Sequence, residues 1–210
     1  MQRSPATSSW TPVLIVGWMA LVVAGFGMLW VYSHRPGAAG VSPSMLPASA
    51  PVATSPGRPT LLLFAHPGCA CTQATLGELE RLLTDVGPDR APVIHVLLCR
   101  PDQEDDGWTE GPVRSRAERL AEARVSVDAG GALAREFGVT TSGTALLYGC
   151  DGDLLFRGGI TASRAHEGAN TGRTLLTRLL RDQSVTNAAT PVYGCPMVGC
   201  DVASASGGGR

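Results

Sequence analysis

The chain has 210 residues, a formal net charge of -1 at pH 7 and a hydrophobic fraction of 44%, with only 17% charged residues. This composition excludes a disordered acidic or basic chain, and the near-neutral charge predicts no nucleic-acid partner because phosphate binding needs a basic excess. All 17 basic residues are arginine, which excludes a lysine Schiff base and a P-loop lysine. The six cysteines are therefore the most informative residues for function.

An uncharged apolar run covers residues 11–32, close to the N-terminus. A helix of this length spans about 33 Å, enough to cross the hydrocarbon core of a bilayer, which is about 30 Å thick. A cleaved signal peptide is the alternative, but its apolar region usually has only about 7–15 residues. The best cleavage motif, Ala48-Ser49-Ala50, also lies far beyond the run. The sequence therefore predicts an uncleaved transmembrane anchor over residues 11–32, preceded by a short N-terminus of residues 1–10.

The rest of the chain divides into a linker, a domain and a tail. Residues 33–59 are rich in Pro, Ala, Ser and Gly without apolar periodicity, which predicts an extended tether. Residues 60–184 alternate strand and helix signals in the order βαβαβαββα, which predicts a mixed α/β domain ending in a hairpin and a packing helix. The predicted strands cover 60–65, 93–98, 124–127, 144–148 and 154–157, and the predicted helices 72–84, 113–123, 129–137 and 171–182. Residues 185–210 are predicted to be a cysteine-containing C-terminal tail.

The strongest chemical pattern is the pair Cys69 and Cys71, between the first strand and the first helix of the domain. Unpaired amides and the helix dipole favour a thiolate there, so Cys69 is predicted to have a lowered pKa and to act as the nucleophile in disulfide exchange. A second thiol nearby can resolve the mixed disulfide, and the small ring of a C-x-C disulfide favours an oxidising couple. His66 is predicted either to assist Cys69 by its charge or as a proton carrier, or to be a polar residue at a strand end.

Two further interpretations of this pair stay open. A C-x-C pair also binds Cu(I), with His66 as a third ligand, which would make the chain a copper-binding or copper-delivery module. The two cysteines could instead be small apolar residues of a turn in a redox-inactive binding domain. No cofactor other than copper is predicted.

The tail contains another pair, Cys195 and Cys200. In an oxidising compartment this pair is predicted to close a small structural disulfide. It could instead exchange with the Cys69/Cys71 pair as a shuttle, or form a copper site together with Met197.

Cys99 and Cys150 are weaker candidates. Cys99 ends an apolar strand and is predicted to be buried for structural reasons. Cys150 precedes the Asp151-Gly152 hairpin turn, where it could be a redox partner or an incidental cysteine.

Three segments carry a resemblance to a known superfamily. The segment Phe64–Cys71, the stretch DAGGALAREFGV (128–139) and the hairpin TALLYGCDGDLLFRGGI (144–160) together resemble the thioredoxin superfamily, and within it the membrane-tethered, extracytoplasmic TlpA-like proteins. The strings TSGTALLY, GGIT followed by SRAHEGANTGR, and TPVYGCPM are similar to a group labelled RedB. The resemblance implies a thioredoxin-like fold, a central mixed sheet with flanking helices, over about residues 60–182.

The same resemblance implies a site and a location. Cys69 would attack and Cys71 would resolve, through a Cys69–Cys71 disulfide, with protein thiols, protein disulfides or a redox protein as partners. The chain would be a single-pass protein of the bacterial inner membrane, with residues 1–10 in the cytoplasm and the C-terminal domain in the periplasm. The chain departs from the family pattern at Gly68, where tryptophan is usual, and at Ser142-Gly143-Thr144, where a cis-proline is usual.

Overall fold

A computed structural model describes residues 10–185 and 188–197 of the chain. The chain forms two compact units, one up to Arg35 and one from Pro36 onward. The described part of the first unit consists mainly of the helix α1 (Thr11–Ser33), none of whose residues is buried. Its length and composition are sufficient for a membrane span, and they also fit an N-terminal signal sequence.

The second unit is built on a five-stranded mixed sheet with the order β3-β2-β1-β4-β5. The strands are β1 (Thr60–Ala65), β2 (Val93–Arg100), β3 (Ala123–Ala129), β4 (Thr144–Tyr148) and β5 (Leu154–Gly158). Parallel pairing joins β1 to β2 and β2 to β3, whereas β4 is antiparallel to both β1 and β5. All six residues of the central strand β1 are buried, as its continuous apolar run predicts for a strand covered on both faces.

Four helices flank the sheet. They are α2 (Ala70–Val86), α3 (Pro112–Glu118), α4 (Ala132–Glu136) and α5 (Thr171–Leu180). Because successive strand residues point to opposite faces, β1 contributes Leu61, Leu63 and Ala65 to one core, and Leu62 and Phe64 to the other. The first core is completed by α2, α3 and α5, and the second by α4.

The predicted elements are all present, most of them with ends shifted by a few residues, but the helix predicted over 113–123 is much shorter. It ends at Glu118, and the chain then passes through i→i+3 turns and a left-handed conformation at Glu122 (φ 65°) before it enters β3 at the next residue. The hairpin turn at Asp151-Gly152 is confirmed, with Gly152 at φ 90°. The Gly149 amide donates to the Asp153 carbonyl across it at 2.8 Å.

Residues 36–59 have no regular helix or strand, but they are not the free tether that their composition predicts. The Thr140 hydroxyl donates to the Ala38 carbonyl at 2.9 Å, and the Tyr148 hydroxyl donates to the Pro43 carbonyl at 3.2 Å. Three apolar side chains of the segment pack on the core beside α4: Leu46, Ala50 and Val52. The segment is docked on the domain because its backbone acceptors and these side chains find partners there.

A buried carboxylate fixes α2 to the loop between β5 and α5. Glu78 of α2 has no exposed surface. It accepts hydrogen bonds from the Gly168 amide at 2.6 Å and from Asn170 Nδ2 at 3.0 Å. It also forms ion pairs with Arg81 and with Arg173, whose Nε lies 2.9 Å from Oε2. Every lone pair that this acid brings into the interior is therefore directed at a donor.

We expect Glu78→Ala to lower the free energy of unfolding by about 3 kcal/mol, because removal of one partner leaves buried donors and charges unpaired. Glu78→Gln keeps an acceptor oxygen and should cost less. Urea unfolding of the full-length protein in detergent, followed by circular dichroism, measures both. Equal stability of Glu78→Ala and the wild type would contradict the expectation.

Candidate active site

Cys69 and Cys71 lie at the junction of β1 and α2. Cys69 is the N-cap residue of α2, with an extended backbone (φ -92°, ψ 114°), and its carbonyl accepts from the Thr72 amide at 3.0 Å. Cys71 is the second residue of the helix. The two cysteines are 1% and 6% exposed. Cys69 therefore stands at the N-terminus of α2, where the helix dipole favours a thiolate.

A third cysteine, from the tail, completes a cluster at this junction. Cys195 Sγ lies 3.2 Å from Cys69 Sγ, although the two residues are far apart in sequence. Cys69, Cys71 and Cys195 all carry free thiols in this structure. The expected disulfides Cys69–Cys71 and Cys195–Cys200 are therefore not formed by these thiols here, and Cys200 lies outside the described residues. The structure places Cys195 in contact with Cys69, whereas exchange between the tail pair and the Cys69/Cys71 pair stays a prediction.

Hydrogen bonding lowers the pKa of Cys69 to about 3. The largest cause is the hydrogen bond from the Cys71 thiol; burial opposes it, while the thiol and amide of Cys195 and the amide of Thr72 reinforce it. The pKa of Cys71 is raised, first by its hydrogen bond to Cys69 and then by burial. Burial is the main cause that raises the pKa of Cys195 to about 11. At neutral pH the cluster therefore holds one thiolate, on Cys69, and two thiol donors.

Ser142 connects this junction to the loop before β4. Its buried hydroxyl accepts from the His66 amide at 2.8 Å and lies 2.6 Å from Thr72 Oγ1. Its amide donates to the Cys195 carbonyl at 2.9 Å. Peptide bonds are trans throughout the described residues, so this loop has, where a cis-proline is usual, a hydroxyl and an amide that donates to the tail. Sequence reasoning missed this role, and the polar residue at the expected proline position was the available signal.

His66 lies at the end of β1, with its ring directed at neighbouring groups. Nδ1 accepts from the Gly68 amide at 3.2 Å, and the ring packs edge-on against Trp108 with the centroids 5.9 Å apart. Trp108, on a short 3-10 turn (Asp106–Thr109), was not among the predicted site residues. A catalytic role for His66 stays a prediction.

The copper hypothesis also stays a prediction from the sequence. Within residues 10–185 and 188–197, no group of three or more His, Cys, Asp or Glu side chains is arranged to hold a metal ion. The His66 ring nitrogen Nδ1 accepts from the Gly68 amide.

The other two candidate cysteines lie in different environments. Cys99 is fully buried, as predicted, and it is also disulfide-bonded, which the sequence did not indicate. Cys150 is exposed and carries a free thiol. Cys150 therefore provides a surface thiol against which the reactivity of the buried cluster can be compared.

No protein-family model matches the chain, and no curated protein matches it. Among solved structures, a hypothetical protein from Sinorhizobium meliloti 1021 is 19% identical, with 67% of this chain and 79% of that chain covered and a TM-score of 0.52. An uncharacterized conserved protein from Geobacillus kaustophilus is 16% identical, with 78% and 92% covered and a TM-score of 0.56. A secreted disulfide oxidoreductase from Mycobacterium tuberculosis, homologous to E. coli DsbE, is 17% identical, with 60% and 83% covered and a TM-score of 0.40.

The fold is thioredoxin-like. A βαβ unit (β1, α2, β2) followed by an antiparallel hairpin and a helix (β4, β5, α5) gives the predicted central mixed sheet with flanking helices. Likeness at these identities concerns the fold and not the reaction.

Proposed function

We propose that the chain is a thiol–disulfide oxidoreductase in which Cys69 is the attacking cysteine. The observation that supports this most directly is the Cys69 sulfur at the N-terminus of α2, 3.2 Å from the sulfur of Cys195. The thiolate is the nucleophile in disulfide exchange, and a stabilised thiolate also makes a good leaving group. The C-x-C pair predicted from the sequence supplies both the nucleophile and its principal hydrogen-bond donor.

The proposed reaction has two exchange steps. The Cys69 thiolate attacks one sulfur of a substrate disulfide, forming a mixed disulfide and releasing the other substrate sulfur as a thiolate, which takes a proton from solvent. A second cysteine, Cys71 or Cys195, then loses its proton and attacks Cys69 Sγ. The second substrate thiolate leaves, and two electrons have passed from the protein dithiol to the substrate disulfide. The reverse sequence oxidises a substrate dithiol.

We further propose the finer assignment that the sequence resemblance implies. The chain would be a TlpA-like, RedB-type protein anchored in the bacterial inner membrane by α1, with the thioredoxin-like domain in the periplasm. The length and apolarity of α1 support the anchor. An oxidising compartment is also where the disulfide of Cys99 would persist. Its partners would be protein thiols, protein disulfides or a redox protein.

Turnover of a peptide disulfide by the full-length protein in detergent, with dithiothreitol as the terminal reductant, tests the function. We expect Cys69→Ser to lower the exchange rate at least about 100-fold, because it removes the nucleophile. Cys150→Ser is the matched control, since it removes an exposed thiol outside the cluster. Its rate should equal that of the wild type.

Two results would contradict the proposal. Wild-type exchange no faster than that of Cys69→Ser would favour a redox-inactive binding domain. Loss of exchange in Cys150→Ser would place the reactive thiol elsewhere.

A further inference from the structure

The tail is seated along the loop that precedes β4. The Ser142 amide donates to the Cys195 carbonyl at 2.9 Å, and the Met197 amide donates to the Thr140 carbonyl at 3.0 Å. Between these two bonds, Pro196 pairs with the loop as an antiparallel bridge. The tail thus adds an extended segment to this loop by main-chain pairing, the mode in which extended peptides add to exposed backbone edges.

Side chains and close packing hold the tail in this position. Met197 is fully buried in the core that contains α4. The Gly194 carbonyl accepts from Arg164 Nη1 at 2.7 Å. A Cβ at Gly194 would lie 1.8 Å from the Ser142 carbonyl oxygen, so the backbones approach more closely than any other residue permits. Tail residues 194–197, which include Cys195, are therefore packed against the domain.

The packing of the tail places the Cys195 sulfur in contact with the Cys69 sulfur. The 3.2 Å between Cys195 Sγ and Cys69 Sγ exceeds a disulfide bond by only about 1 Å, which a small side-chain rotation can close. Cys71 lies in the first turn of α2, and its thiol is the largest cause that lowers the pKa of Cys69.

We propose that Cys195 is the resolving cysteine of this chain, seated on Cys69 by tail residues 194–197, so that turnover forms a Cys69–Cys195 disulfide. This inference rests on the proposed function and assigns the second sulfur of its reaction. Cys71 then acts as a positioning residue that stabilises the Cys69 thiolate, rather than as the residue that the sequence resemblance implies for resolution.

The resolving step balances without any further reagent. The Cys69 thiolate first takes one half of a substrate disulfide and releases the other half as a thiol. Cys195 gives its proton to solvent, and its sulfur attacks Cys69 Sγ. The Cys69–Cys195 bond forms, the bond from Cys69 to the substrate breaks, and the second substrate thiol leaves. A dithiol reductant returns the pair to the state of this structure.

Peptide mapping of the full-length protein in detergent tests the assignment. The reduced cluster is oxidised with one equivalent of oxidised glutathione, free thiols are blocked with N-ethylmaleimide, and the monomer is digested with trypsin. Cys69 and Cys71 share the peptide that ends at Arg81, whereas Cys195 lies in the peptide that follows Arg181. We expect a disulfide joining these two peptides, with Cys71 blocked by maleimide.

Two tail variants separate the role of the Cys195 sulfur from the role of the tail contacts that position it. Cys195→Ser should abolish the link and accumulate the Cys69–glutathione mixed disulfide. Gly194→Ala keeps every cysteine but places a methyl group against Ser142, and should slow formation of the link at least tenfold (about 1.4 kcal/mol by the usual conversion). Ala189→Ser, at an exposed tail position, is the matched control and should form the link at the wild-type rate.

A disulfide within the peptide that ends at Arg81, together with maleimide on Cys195, would overturn the proposal and return resolution to Cys71. A Cys195–Cys200 disulfide would overturn it equally, as would wild-type turnover by Cys195→Ser. These outcomes leave the proposed function intact, because it requires only that Cys69 exchanges. Absence of exchange in the wild type would instead contradict the function, whichever disulfide is mapped.

Discussion

Iodoacetamide is expected to alkylate Cys69 at nearly the same rate at about pH 5 and about pH 8, whereas an ordinary thiol accelerates about 1000-fold over this range. The pKa of Cys69 is lowered to about 3, so the thiolate is already fully formed at the lower pH and gains nothing as the pH rises. The rate should fall only as the pH approaches the lowered pKa. Mass spectrometry of the tryptic peptide that ends at Arg81 measures the label on Cys69.

The cause of this acid shift can be tested at Cys71. Cys71→Ala removes the largest hydrogen bond to the thiolate, which should raise the midpoint of the alkylation profile by about 1–2 pH units. Cys71→Ser keeps a donor at this position and should shift the midpoint less. A wild-type midpoint at the value of a free thiol would contradict the hydrogen-bonded thiolate.

The redox couple of Cys69 is expected to be oxidising, with a potential above about -200 mV, closer to the value of about -120 mV for DsbA than to about -270 mV for thioredoxin. Any disulfide at Cys69 removes the thiolate and its hydrogen bonds, so those bonds stabilise only the reduced protein. Stabilisation of the reduced form raises the potential. Equilibration of the full-length protein with glutathione buffers, followed by alkylation and mass analysis, gives the value.

Substitution of Cys71 tests how far its thiol contributes to the redox potential. If the couple is Cys69–Cys195, Cys71→Ala should lower the potential by about 30–60 mV, since it destabilises the reduced form by one charge-assisted hydrogen bond. Cys150→Ser should leave the potential unchanged. A wild-type couple as reducing as thioredoxin would show that the thiolate is not stabilised as the contacts indicate.

Local sequence patterns were sufficient to predict the sheet and its helices. The apolar run of β1, the helical spacing of leucines in α2 and the Asp151-Gly152 turn are each encoded within about ten residues, where periodicity and turn chemistry act directly. The end of α3 was predicted less well. The chain leaves this helix through i→i+3 turns and a left-handed residue, Glu122, and this stretch carries no glycine or asparagine signature.

The docking of residues 36–59 on the domain could not be predicted from their composition. Proline and alanine predict the absence of a helix, and the segment has none. Its docking depends on partners that come much later in the chain, such as the hydroxyls of Thr140 and Tyr148. Such pairings are set by the tertiary fold and have no local pattern.

The candidate site was predicted only in part, because one of its contacts joins residues that are far apart in the sequence. Cys69 and Cys71 are close in sequence, at a junction whose chemistry follows from helix geometry. The contact between Cys69 and Cys195 joins two ends of the domain, and it depends on the tertiary packing of the tail, including its main-chain pairing with Ser142. The presence of a cysteine pair in the tail, Cys195 and Cys200, was the available signal.

Glu78 could have been found from the sequence. It follows Cys71 and Thr75 on the face of α2 that is buried, and Leu82 continues this face. An acidic residue in such a stripe indicates a buried ion pair, because an unpaired carboxylate would not be tolerated there. Its partners, Arg81 and Arg173, could not be named without the fold.

The seated tail has a consequence for identifying the molecules on which this chain acts. A thiol tethered within a few ångströms of its target has an effective concentration in or above the millimolar range, far above that of most proteins in a cell. Any mixed disulfide between Cys69 and a substrate protein would therefore be resolved almost as soon as it forms. The Cys195→Ser variant should therefore retain substrate proteins as mixed disulfides on Cys69. A Cys71 variant, which keeps Cys195, should release them.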